Sequence, residues 1–472
     1  MQTMITQTFK GGFVFTRAVL LLAITLICAT GAQAANLLKT ATATMNAATD
    51  WTLSGTGTAP SSSYVGEINN TPTSGNLSGM QLGGSINLLG LLLDNNMAGA
   101  LTIGNTGGYT LTLGASGIDM SAANNNATLN CTLSLGAAQT WNVISGKTLK
   151  FAGTAPQISG SSLLTVAGTG GTTIGYNDLS LSAGLTKTGA GTLTITGGAA
   201  NAATIGSGST LTVNGGIVNL SNPSGANGNV LNSTANASFG GGALLYSFAQ
   251  GSVNQTLANL TINPGESALF ANRIGSISSA YLSLSGTVTR NAGGLICIRE
   301  YDSSREQTFF LGVTPNTLLT SGGAAYLILG NNPGGAQLGN FSDWGLVASD
   351  YSLKAVTYTS TTANSLGTSA QNANVAATVT TTTLGGAATD ASFRDNANQA
   401  TTINLAGYTW QTGGILIGPA KATAGSVIED TVGTGSLTGP TSSDLPIIVA
   451  ANATTPEPFT ISAKIADNTR AC

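Results

Sequence analysis

Short runs of alternating apolar and polar residues recur about every 8–20 residues from residue 100 onward, each bounded by glycine or asparagine. They are residues 100–103 (ALTI), 109–113 (YTLTL), 128–135 (TLNCTLSL), 140–144 (TWNVI), 148–151 (TLKF), 163–166 (LLTV), 192–195 (TLTI), 210–213 (TLTV) and 217–220 (IVNL). Apolar residues two apart in an extended chain give one buried face and one wet face. The separators GNTGG, GASG, GTGG, TGGAA, GSGS and NGG supply the positive-φ positions that tight turns need. Many short strands with glycine turns fit a sandwich or a solenoid. Several sandwiches would show linkers and domain-sized repeats, and 472 residues show neither. A solenoid adds coils without limit. Residues 99–118 (GALTIGNTGGYTLTLGASGI) are echoed by residues 400–417 (ATTINLAGYTWQTGGILI), which supports it.

Composition agrees. Charged residues are 7% of the chain, against about 25% in ordinary globular proteins. Mean hydropathy is +0.22, unlike a disordered chain, which is polar and highly charged. Helix formers are scarce and Thr, Val and Ile favour strands. The expectation is an all-β parallel β-helix with irregular loops, about 20–25 residues per coil. Roughly 20 coils at ~4.8 Å would make a rod on the order of 90–100 Å.

The N-terminus reads as a secretory signal. Lys10 and Arg17 precede an apolar run, residues 18–29 (AVLLLAITLICA), too short to span a bilayer, and Ala32-Gln33-Ala34 follows. Cleavage is expected between Ala34 and Ala35. Ile27 stands before Cys28 where a lipobox wants a small residue. Without residues 1–34 the chain keeps 13 Lys and Arg against 18 Asp and Glu, a net charge of −5. That balance argues against nucleic acid as a partner. The three remaining cysteines cannot form a disulfide framework, and Cys131 falls on an apolar alternation as a small core residue. The expected organisation is a signal at 1–34, an N-terminal cap region at 35–98 and β-helix at 99–221. A looser β-helix with loop insertions at 222–395 and further coils at 396–472 complete it.

Catalytic chemistry finds little foothold. With no histidine there is no Ser-His triad and no imidazole ligand. No cysteine pair has zinc-site spacing, and no cofactor motif is present. Asp94, Asp119 and Asp178 are scattered. Glu429-Asp430 are neighbours, so a strand would point them to opposite faces. Glu300 and Asp302 with Arg299 are the best acid–base candidates, within a mixed-sign cluster, residues 299–306, that reads as a solvated loop.

One segment is specific. Residues 184–197 read GLTKTGAGTLTITG. This resembles the autotransporter-associated β-strand repeat, G-L-x-K-x-G-x-G-T-L-x-L-x-G. Gly184, Leu185, Lys187, Gly189, Gly191, Thr192, Leu193 and Gly197 match, and Ile195 replaces a leucine. Gly189 and Gly191 are expected to make a turn too tight for Cβ atoms, with Leu193 and Ile195 in the core and Thr192 and Thr194 outside. Lys187 is expected as the solvated tip before that turn. Residues 133–143, 340–360 (with Trp344 as anchor) and 444–469 resemble other blocks common in the family. The resemblance implies a right-handed β-helix displayed on, or shed from, the bacterial surface, and carries no catalytic residues. Family members often end in a translocator barrel or a sorting tail. The chain ends at Cys472 where another repeat is due, and reads as truncated. The expected role is structural, adhesive or matrix contact, with surface glycans or matrix as partners. A β-helix polysaccharide lyase or hydrolase, and a fragment without independent function, are the alternatives.

Overall fold

Inward apolar and outward polar side chains sort onto opposite sides of each strand, and successive coils then stack those sides in register. In the computed structural model the described residues are 34–466 apart from 41–43, 153–157, 176–178, 198–203, 207, 223–228, 249–252, 274–279, 301–305, 319, 322, 332–340, 362–365, 367–370, 377, 420, 422–424, 442 and 451–457. Residues 1–33 of the signal segment and Cys472 lie outside them. The protein is nearly all β, and parallel sheets stack into a β-solenoid of about 14 turns. That is fewer than chain length predicts. Corresponding residues Leu164, Leu185, Leu211, Ala237, Leu260 and Val288 stand 21 to 28 apart, so many coils are longer than 20–25. Two strands, Phe341–Val347 and Leu353–Ala355, form antiparallel closures that add no coil.

The first stack has three faces. The first runs through Thr132–Leu135, Ile158–Gly160, Leu179–Leu181 and Thr204–Ile205. The second runs through Gln139–Val143, Leu164–Gly168, Leu185–Lys187, Thr210–Val213, Asn236–Phe239, Leu260–Ile262 and Val288–Arg290. The third includes Thr148–Phe151, Gly171–Ile174, Thr192–Thr196, Ile217–Asn222, Ala243–Phe248, Gly265–Arg273, Gly294–Glu300 and Leu327–Asn331. Its inward column Leu129, Phe151, Ile174, Ile195, Leu220, Tyr246 is fully buried. Each such side chain contributes ~1.5–3 kcal/mol by burial. A lone coil would expose this surface on both sides, so the coils are stable only as an array.

The N-terminal end is closed by Trp51–Leu53, antiparallel to Asn36–Lys39. Trp51 is buried, its indole Nε1 donating to the Met45 carbonyl at 2.7 Å. Buried Lys39 pairs with Asp50 at 3.2 Å and lies 5.6 Å from the Trp51 ring centre. Parallel stacking already starts here, within residues 35–98, because Asn36–Lys39 also pairs with Val65–Ile68. The other end of the first stack is closed by Phe341–Val347, antiparallel to Leu327–Asn331.

A second stack follows from Thr359–Thr361. One of its sheets includes Gln371–Val375, Ala388–Asp395, Thr409–Thr412, Ile415–Ile417 and Ser436–Thr438. The other holds Thr381–Thr383, Thr401–Asn404, Ser426–Glu429 and Phe459–Ile461. It buries its own core around Phe393, Ile403, Trp410 and Leu437. The second stack packs against the first at the closing strand Phe341–Val347 and the apolar outward column that leads to it. Ala243, Ala268, Cys297 and Ile328, one outward column of the third face, join Trp344 and Leu416 in a shared apolar cluster. The single rod expected from sequence is therefore two stacks, each with its own core.

Candidate functional surface

The repeat segment builds one corner of one coil. Leu185 ends in the core of the second face, and Leu193 and Ile195 in the core of the third, all fully buried. Thr192 and Thr194 are half-open on the outside. Gly189 has φ +67, and a Cβ there would lie 2.4 Å from the Gly168 carbonyl oxygen. A Cβ on Gly191 would lie 2.0 Å from the Gly170 oxygen of the preceding coil. A Cβ on Gly197 would meet Val230 at 2.7 Å. Coils one step apart are too close here for any side chain.

Lys187 corrects its expectation. It is not a solvated tip: only 1% is exposed. It sits in the inward column Trp141, Val166, Lys187, Val213, Phe239. Its Nζ donates to the carbonyl oxygens of Thr188 and of Gly189, the latter at 2.8 Å. The amine thus satisfies carbonyls that the tight corner turns inward, and burial pushes its pKa down to about 8.

The candidate acids separate. Of the Glu300–Asp302–Arg299 trio, Asp302 lies outside the described residues, and only the backbones of Arg299 and Glu300 are placed, in Gly294–Glu300. Asp178 also lies outside. Asp94 and Asp119 accept from the backbone N–H of Asn95 and Ser121 and shape turns. Asp430 accepts from the N–H groups of Gly407, Val432 and Gly435. These donors outweigh desolvation and hold its carboxyl below the usual range. Its neighbour Glu429 is half-open at the end of Ser426–Glu429. Among the described residues no three His, Cys, Asp or Glu side chains gather as a metal site.

Sequence reasoning missed the buried charges. Asp395 and Lys421 pair at 2.9 Å inside the second stack, and Asp395 also accepts from Ser426 Oγ at 2.7 Å. Burial raises the Asp390 carboxyl to about 6 despite a 2.8 Å bond from Trp410 Nε1. Arg290 makes a two-pronged pair with Asp444, 2.7 and 2.5 Å, joining the two stacks across 154 residues. Arg394 pairs with Asp343 and lies 3.9 Å from the Tyr358 ring centre. Trp344 Nε1 donates to the Phe393 carbonyl at 2.9 Å, so this aromatic pins the junction. Alternation marks which residues point inward, but nothing in it marks a partner that far along the chain.

What remains outside is mostly uncharged. Asn259 donates to Asn236 Oδ1 at 3.0 Å and accepts from the N–H and hydroxyl of Thr287. Asn291 donates to Asn263 at 2.8 Å, and Asn263 to Ser238 at 2.9 Å. These ladders run between coils on either side of Leu260–Ile262. No helix among the described residues is long and apolar enough to cross a membrane. No family model, curated protein or solved structure matches the chain.

Proposed function

We propose that this chain is an exported, non-enzymatic β-helix of the autotransporter-associated repeat kind. It works at the cell surface or outside the cell as a structural or contact element. The observation that carries the reading is how the polar groups are used. Apart from half-open Glu429, the carboxylates whose side chains are described shape turns, pair with cations or bond to neighbouring residues. The outer columns meanwhile present hydroxyls and amides that need no charge. Residues 18–34 support export, and the match at residues 184–197 supports the family.

The test is to produce the full chain in a Gram-negative host and fractionate the cells. The reading expects protein in the surface or extracellular fraction, with Ala35 as its first residue by N-terminal sequencing, and increased attachment of producing cells to matrix-coated wells. Uncleaved protein confined to the cytoplasm, without added attachment, would contradict it.

A further inference from the structure

The second face of the first stack carries an outward hydroxyl in each of seven successive coils: Thr140, Thr165, Thr186, Thr212, Ser238, Thr261 and Thr289. All seven are open or half-open. Ser238 accepts from Asn263, but the six threonine hydroxyls bond to no described residue. The flanking asparagine ladders stiffen the face and take up only Ser238 of the central column. The only charged residues in these seven strands are buried: Lys187 points into the core, and Arg290 pairs with Asp444 at the junction.

The other faces differ. On the third face the column Thr102, Thr128, Lys150, Thr173, Thr194 is interrupted by a cation. Beyond it, outward Ala243, Ala268 and Cys297 are covered at the junction. The first face has a shorter column, and its Thr204 hydroxyl is already given to the Leu179 carbonyl. Among the described residues the second face thus has the longest uncharged outward column, with Asp119, beside Asn142, at one end and the Arg290–Asp444 pair at the other.

We propose that this face binds a neutral, extended polysaccharide lying along the solenoid axis. The proposal rests on the surface-contact reading above and names its partner. Free hydroxyls repeat every ~4.8 Å, and an extended β-linked hexose chain advances by a similar distance per sugar. One hydroxyl contact exchanged against water contributes little. The six unbonded threonine hydroxyls, in register on either side of Ser238, act together, because each contact after the first is intramolecular. An anionic polymer finds no free cation in this column and meets an exported chain of net charge −5.

The experiment is affinity electrophoresis of the full chain through gels holding soluble mixed-linkage β-glucan, alginate or dextran, whose α-linked chain does not extend. The expected result is retardation by β-glucan alone. A variant with Thr165→Lys, Thr212→Lys and Thr261→Lys, charged on alternate coils, should raise the apparent Kd ~10-fold or more. Thr112→Lys, Ser159→Lys and Thr204→Lys, the same charge on the first face, should leave it unchanged, with circular dichroism confirming that both variants fold. Equal weakening by both variants, equal retardation by alginate or dextran, or none by β-glucan would overturn the proposal. If β-glucan fails while the chain is still exported, cut at Ala35 and adhesive, only the glycan assignment falls. If export and attachment fail too, the contact reading falls with it.

Discussion

Lys187 shows how much one inward position decides. It follows Leu185 by two residues and so shares its face, which the sequence alone displayed. Reading it as a solvated tip assumed that the turn had already begun. Its amine is held below the ordinary lysine range by burial, to about 8. The unfolded chain therefore binds more protons between pH 8 and 10.5, and this residue makes stability rise with pH across that window. Lys187→Met should remove up to about 3 kcal/mol of that rise, seen by comparing denaturant midpoints of variant and parent at pH 7.5 and 10. A second buried polar group also costs stability. Thr172 is 2% exposed between Leu149 and Leu193, and its hydroxyl has no partner among the described residues. Thr172→Val should stabilise by ~1 kcal/mol in urea unfolding. Gly191→Ala should destabilise by roughly 2–3 kcal/mol, since the added Cβ meets a backbone oxygen that cannot move without shifting a coil.

Strands were the most legible element. The runs at 148–151 and 210–213 match Thr148–Phe151 and Thr210–Val213 end to end. Period-two alternation survives because one side of each strand always faces the same core. Corners were less legible. Residues 128–135 alternate without a break, yet the chain turns from one face to the next at Cys131, between Ala127–Asn130 and Thr132–Leu135. Inward residues on both sides of a corner keep the parity going, so alternation cannot report the bend. Cys131 is buried as expected, with its thiol pushed up to about 12 by desolvation. The asparagine ladders were invisible in one dimension, because their partners are a coil apart. Asn259→Ala should cost ~1–3 kcal/mol and unlock Val288–Arg290 first, read as faster amide exchange there than in Gln139–Val143.

The pairing of two stacks depends on contacts that no local pattern announces. The outward column of the third face passes from Thr192 to Ile217, Ala243, Ala268 and Cys297, a change from hydroxyl to apolar where the second stack begins to cover it. That change stood in the sequence, but its meaning required the coil register. Arg290 and Asp444 then lock the arrangement. Partial burial would raise the Asp444 carboxyl, but the hydrogen bonds and charge of Arg290 outweigh it and hold it low. A depressed carboxyl contributes stability above its ordinary range and loses it as pH falls below that range. Asp444→Asn should leave the Arg290 cation buried and unpaired, and loosen the junction at neutral pH. Limited proteolysis should then release the second stack while the first survives.

Taken as a molecule, the protein pairs its buried charges at the ends and the junction, and gives the outward column of its second face to hydroxyls. On the proposed reading, function lies on such faces and not in a catalytic centre. Product release from purified full-length protein tests this most directly, with β-glucan, alginate and polygalacturonate as substrates, followed as reducing ends and unsaturated uronates over long incubation. The account predicts none above a boiled control. Steady, protein-dependent release of either product from any of the three would contradict it.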